Sequence, residues 1–182
     1  MERAAELFAE RGIAATSLDE VLMAAGAGKG QFYHYFHGRD ELAAAVGHRC
    51  AQVVAGLTEA LGGVSSLAGL EHALTGFIGG FEQAGLPGCP IGTLSAEVAD
   101  RNEEARLQAA AGFDAWERLL AGALERMRQR GELRADADPA VLATGLLASI
   151  EGGLVLSQAR KDAASLRIAV DAGLGQVRAQ LN

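Results

Sequence analysis

Residues 28–36 read GKGQFYHYF, and their polar groups are of the types that hold a polyanion. Lys29 supplies an ammonium, Tyr33 and Tyr35 hydroxyls, His34 an imidazole, and Gln31 an amide that both donates and accepts. The first three kinds of group can grip phosphate oxygens, and a glutamine amide can read an adenine edge. Aromatic residues at 32, 33, 35 and 36 surround the histidine. Cores are rarely stocked this way, because buried tyrosine hydroxyls need partners. Residues 21–39 hold no Asp or Glu, yet include Lys29, His34, His37 and Arg39. The flanking segments carry Glu2, Glu6, Glu10, Asp40 and Glu41. An aromatic core corner with solvated ends is the competing explanation of the same cluster.

A second reactive group lies in GCPIGTLSAEVAD, residues 88–100. Cys89 stands between Gly88 and Pro90, just ahead of a predicted helix, and a helix N-terminus favours a thiolate. Its alternative role is that of a small buried hydrophobe. Cys50 sits inside an apolar helix and reads as structural. Two cysteines make no disulfide framework and fit a reducing compartment. Beyond residue 50 the aromatics are Phe77 and Phe81, spaced i, i+4, and Phe113 and Trp116, spaced i, i+3. With Thr93 and Glu151 as polar groups they are candidates to line an apolar pocket, ordinary core packing being the alternative. His34, His37 and His48 lack a Cys or carboxylate at ligand spacing, so neither a metal site nor a cofactor is expected. G-x-S-x-G and H-E-x-x-H signatures are absent, and nothing points to an enzyme.

These groups need elements to position them. The chain has 182 residues, 49% hydrophobic and 21% charged, which suits a globular fold. A net charge of −7 excludes a wholly basic nucleic-acid binder but not a local patch. No basic-then-apolar leader opens the chain, and a cytoplasmic location is expected. Apolar residues recur at helical spacing, residues 1–86 contain no proline, and period-two alternation is absent. The pattern predicts an all-α fold of nine helices: about Glu2 to Arg11, from Ser17 to Ala25, Lys29 to Phe36, Arg39 to Leu61, Leu67 to Ala84, Ile91 to Ala99, Glu103 to Arg130, from Pro139, and Leu166 to Leu181. Ser17 and Glu20 form a capping-box pattern, with Thr16 and Asp19 as a competing register. The second and third helices, joined by AGAGKG, make a helix-turn-helix whose second member would enter a major groove.

Residues 139–159 contain a single charge, Glu151, and apolar side chains point almost all round the eighth helix. Thr144, Ser149, Glu151 and the pair Gly152 and Gly153 argue against a membrane span. One side of this helix can pack on its own domain, and the other then needs a partner chain. The expected interface is a four-helix homodimer through Leu142, Leu146 and Gly153 of the eighth helix and Val170, Leu174 and Val177 of the ninth.

The stretch ERAAELFAERGIAATSLDEVLMAAGAGKGQFYHYFHGRDELAAAV resembles the DNA-binding domain of TetR-family transcriptional repressors. LFAERG, TSLDEV, AAGAGKGQFYHYF and RDEL keep their mutual spacing in that family. The resemblance implies a helix-turn-helix domain over 1–46 and a ligand-binding and dimerisation domain over 47–182. It implies a homodimer on a palindromic operator, released by a small apolar or aromatic effector. Thr16 and Ser17 match helix-start phosphate contacts, Lys29 and Tyr33 backbone grips, Gln31 and His34 base-facing positions, and Arg39 a basic phosphate contact; Tyr35 faces outward beside them. The family usually has a serine where Gly28 stands, and basic residues ahead of the first helix, where this chain opens with Met1 and Glu2. GCPIGTLSAEV resembles a segment of a TetR subgroup, some of whose members sense electrophiles or oxidants through the cysteine. An electrophile sensor acting through Cys89, or a helical sensor that has lost operator binding, is therefore the alternative.

Overall fold

Ser17 opens the first described helix, α1 (Leu18–Ala25), through a complete capping box. Its hydroxyl accepts from the Glu20 N–H at 3.2 Å, and the Glu20 carboxylate accepts from the Ser17 N–H at 2.8 Å. Caps of this kind are worth about 1 kcal/mol. Asp19 takes no part, so the competing register is not used. Gly26 closes α1 at φ 62°, in the left-handed region where glycine costs least. Gly28 then leads into α2 (Lys29–Tyr35).

The computed structural model describes residues 7, 16–35, 60–86, 88–98 and 103–182. Among them are seven helices and no strand. Beyond α1 and α2 these are α3 (Leu67–Gln83), α4 (Pro90–Val98), α5 (Glu103–Gln129), α6 (Pro139–Arg160) and α7 (Ala164–Arg178). The fold is all-α, as expected. The first and fourth of the nine expected helices lie outside the described residues, apart from helical positions at 7 and 60–62.

The chain divides into two compact units. Unit 1 comprises Met1–Val54 and Pro87–Phe113, and unit 2 comprises Ala55–Leu86 and Asp114–Asn182. In unit 1, Val21 and Leu22 turn the buried face of α1 inward. Ile91 of α4 is almost fully buried against Gly112 of α5, where an added Cβ would lie 2.9 Å from Ile91 Cδ1.

Unit 2 is built around α6. Asp138 caps it, accepting from the N–H groups of Ala140 and Val141, and Pro139 takes the first helical position. By length and composition α6 could also cross a membrane. Its buried residues, among them Leu142, Leu146, Ile150 and Leu154, instead make it a core helix. α7 packs closely on it because two glycines stand at the contact. A Cβ at Gly153 would meet Leu166 Cα at 2.9 Å, and one at Gly173 would meet Leu146 Cδ1 at 2.8 Å. The buried Ser157 hydroxyl accepts from the Leu166 N–H at 2.9 Å and joins the two helices at their turn.

The end of α5 organises the segment before α3. Arg126 donates to the carbonyls of Val64 and Leu61 at 2.8 and 2.7 Å. The Glu132 carboxylate accepts from the Leu67 N–H at 2.8 Å. The ninth expected helix is corrected at both ends: it starts at Ala164 and stops at Arg178. Leu181 lies beyond it and pairs with Leu133 in an isolated antiparallel bridge. The Asn182 amide donates to the carbonyls of Gly131 and Leu133, drawing the chain end out of helical register.

Candidate nucleic-acid interface and effector pocket

α2 carries the polar groups of the GKGQFYHYF stretch. Lys29, Tyr33 and His34 are exposed on it. Lys29 and Tyr33 are four residues apart and share one helix face. Lys29 Nζ lies 2.9 Å from Asp19 Oδ1, an acid contributed by α1. The hydrogen bond to Asp19, and then its charge, hold the Lys29 amine above its ordinary range. The strip free of acids along the chain is thus not free of them in space. Ser17 is exposed at the start of α1 and engaged in its cap.

Thr16 departs from expectation. Its side chain is fully buried, and its hydroxyl donates to the Leu7 carbonyl at 3.4 Å. An inward hydroxyl cannot reach a phosphate, so the expected contact through this side chain is withdrawn. Arg39 and the side chains of Gln31 and Tyr35 lie outside the described residues, as does the expected inward pairing of Phe32 with Phe36.

Of the expected pocket residues, Phe77 of α3 and Trp116 of α5 meet edge to face, with ring centroids 5.4 Å apart at 64°. Such pairs contribute about 0.5–1.5 kcal/mol beyond their buried area. The space around them, bounded also by Ala60, Leu61, Ala73 and Leu74, is only about 10 Å³. That is room for about one water molecule. Phe81 is buried one turn further along α3, and Glu151 is partly buried on α6. Cys89, Thr93 and Phe113 belong to unit 1. Cys89 is buried just before α4, and its sulfur accepts from the Gly92 N–H at 3.4 Å. No group of three or more metal-ligating side chains occurs among the described residues.

The residues expected at a dimer interface are corrected as a set. Leu142, Leu146 and Gly153 of α6, and Val170, Leu174 and Val177 of α7, are all buried within one chain. They form the inward faces. The outward faces carry Val141, Ala148, Gly152 and Val155 on α6, and Ile168, Ala172 and Gly175 on α7. Val141 is 67% exposed and Ile168 71%. Their recurrence at intervals of three, four or seven residues was readable, but periodicity alone could not say which apolar face meets the chain's own core. Sequence reasoning also missed a cleft of about 490 Å³ between α3 and α7. Its signal was the matched spacing of Glu71 with Glu82 and of Arg167 with Arg178, eleven residues in each case.

Comparison with known proteins places this arrangement. The family model described as "Bacterial regulatory proteins, tetR family" matches residues 1–46, and "Tetracyclin repressor-like, C-terminal domain" matches residues 66–172. The chain belongs to the TetR family. A helix-turn-helix transcriptional regulator of Mycobacterium tuberculosis is 35% identical over 176 residues, covering 87% of this chain and 82% of that protein. The transcriptional regulator AcuR of Cereibacter sphaeroides is 29% identical over 154 residues, covering 82% and 70%. Among solved structures, a TetR regulatory protein from Rhodobacter sphaeroides superposes with a TM-score of 0.87 at 26% identity, over 95% of this chain and 94% of that one. The reduced form of Escherichia coli NemR gives a TM-score of 0.76 at 26% identity, over 100% and 95%. This TetR-family member is a transcriptional regulator and not an enzyme.

Proposed function

We propose that this regulator is a homodimeric repressor that binds a palindromic operator and releases it when a small apolar or aromatic effector binds. On this reading residues 1–46 hold DNA, residues 47–182 bind effector and partner, and the protein acts in the cytoplasm. The observation that carries the reading is the short α1–α2 pair with Lys29, Tyr33 and His34 exposed on its second helix. Lys29 and Tyr33 take phosphates, His34 and Gln31 face bases, and Ser17, Tyr35 and Arg39 complete the contact set. Support for the homodimer comes from the exposed apolar stripe of α6 and α7. A two-fold pair would offer its two recognition helices to successive major grooves about 34 Å apart.

The effector reading rests on the Phe77–Trp116 pair. With about 10 Å³ free beside it, an effector must part the aromatic pair to enter. That movement links ligand binding to a change in α3 and α5. A second reading has one observation of its own. The Gly92 N–H at the start of α4 is directed at the Cys89 sulfur, a contact of the kind an electrophile-sensing thiol uses, although Cys89 is buried. NemR, which resembles this chain along its whole length, has been seen in a form described as reduced.

Selection of an operator from a random duplex pool, followed by binding across salt concentrations, tests the proposal. Lys29→Ala and Tyr33→Phe should weaken all sequences alike, and Lys29→Ala should reduce the salt slope by about one. Gln31→Ala should change sequence preference, by about 1–3 kcal/mol per base contact. Parent-like binding by both Lys29→Ala and Tyr33→Phe would remove α2 from the interface. Adding candidate effectors to the same complex separates the two sensing modes. Quenching of Trp116 emission on release supports the aromatic site, whereas loss of electrophile-driven release in Cys89→Ser supports the thiol.

A further inference from the structure

The cleft between α3 and α7 has no part in the proposed repressor mechanism. The two helices run antiparallel, because Glu71 pairs with Arg178 at one end and Glu82 with Arg167 at the other. About 16 Å of helix separates these ion pairs, from eleven residues at 1.5 Å each. Between them lies a cleft of about 490 Å³ floored by Leu74, Ile78, Val170 and Leu174. That volume is in the range of small-molecule sites, as is an apolar floor flanked by a few polar groups.

Three features choose the occupant. The first is Gly79, which lines the cleft in the interior of α3. A Cβ added there would meet nothing within 4 Å. Glycine inside a helix gives up stability relative to alanine, and here no neighbour within the chain requires it. Its effect is to keep the cleft open.

The second feature is the asymmetry of the two arginines. Arg178 uses Nε, Nη1 and Nη2, on Glu71 and Asp171. Among the described residues Arg167 uses Nη2 alone, on the two oxygens of Glu82 at 2.6 and 2.5 Å. The Nε and Nη1 donors of Arg167 remain for a second acceptor, and a guanidinium can take a carboxylate through two parallel bonds. The third is charge. Three acids, Glu71, Glu82 and Asp171, line the cleft with two cations, Arg167 and Arg178, and Asp171, one turn along α7 from Arg167, gives its carboxylate to Arg178. With the acids already in excess, the cleft has a place for one anionic head and no more, and that place is Arg167, whose Nε and Nη1 are not taken by Glu82.

We propose that this cleft binds an elongated amphiphile bearing one carboxylate, its head on Arg167 and its apolar body along Ile78, Val170, Leu174 and Leu74. Gly79 forms the wall against which the chain of the ligand lies. The site shares Leu74 with the space beside the Phe77–Trp116 pair but includes neither ring, and nothing in it requires DNA.

Calorimetric titration of the full chain with dodecanoate, kept below its micelle concentration, tests this. Dodecyltrimethylammonium serves as the cationic control. Saturable binding of one dodecanoate per chain is expected, with little binding of the cation. Arg167→Gln should weaken dodecanoate at least tenfold, and Glu82→Gln should bind at least as tightly as the parent. Gly79→Leu should abolish binding while keeping helicity and melting temperature, since leucine is the better helix former and enters open space. Absence of saturable binding, equal binding of the cation, or binding unchanged in both Arg167→Gln and Gly79→Leu would overturn the assignment. If dodecanoate quenches Trp116 and those two variants bind like the parent, the ligand occupies the aromatic site. That result refutes the cleft and leaves the repressor reading standing.

Discussion

Asp19 and Lys29 form an exposed ion pair at the edge of the proposed DNA-binding face. Exposed pairs are weak and salt-screened, so a phosphate can displace the aspartate. Asp19 nevertheless competes for the ammonium and repels the DNA backbone. Asp19→Asn is expected to raise affinity for random-sequence duplex about two- to five-fold at low salt, with the gain shrinking as salt rises. Fluorescence anisotropy on a labelled duplex measures both. Unchanged affinity at low salt would mean that Lys29 does not approach phosphate. Thr16 belongs to the same scale: its neighbour Ser17 has the exposed hydroxyl, whereas Thr16 is turned inward. Adjacent residues of similar chemistry were not distinguishable along the sequence, because the choice depends on the Leu7 carbonyl nine residues away.

Among elements, the α6–α7 pair depends most on the absence of side-chain atoms. Gly153 faces Leu166 Cα, a backbone atom that has no rotamer to yield. Gly153→Ala should therefore destabilise by about 1–3 kcal/mol, the usual cost of overpacking. Gly76→Ala, in α3 with nothing within 4 Å of the added methyl, should instead stabilise by about 0.5–1 kcal/mol. Thermal melts of the two variants should move in opposite directions, by roughly 2–4 °C per kcal/mol. A Gly153→Ala melt equal to the parent would contradict the close helix contact. Helix starts and stops were largely legible beforehand. Ser17 with Glu20, Gly26, Asp138 with Pro139, and Gly131 act through hydrogen bonds or backbone angles within a few residues. The end of α7 was not, because residues 131–133 of another segment draw Leu181 and Asn182 away.

For the molecule as a whole, the proposed homodimer rests on the apolar residues left outside. Val141, Val155 and Ile168 have no cover within the chain, and Gly152 and Gly175 beside them have open space. A second copy placed on this surface would bury it across a two-fold axis. If the proposed dimer uses this surface, Ile168→Glu and Val141→Glu are expected to leave a folded monomer and to weaken operator binding, since both half-sites are then lost together. Leu146→Glu should unfold the protein, because that side chain is fully buried. Sedimentation velocity with circular dichroism separates the outcomes. A dimer that survives both outward charges would move the interface elsewhere.

The local order of residues was sufficient for the all-α class, most helix ends, the helix-turn-helix spacing and the resemblance to TetR repressors. The helix ends are encoded within a turn or two, where neighbours in sequence are neighbours in space, and the resemblance in the order and spacing of short motifs over residues 2–46. Tertiary structure alone decided which apolar face of α6 is inward, since residues are apolar on nearly every side of it. It also decided that Phe77 and Trp116 touch but leave almost no room, and that α3 and α7 enclose the larger cleft. Those outcomes depend on side chains dozens of residues apart filling, or failing to fill, the same volume. Packing at near-crystalline density makes that a property of the assembled helices and not of any one of them.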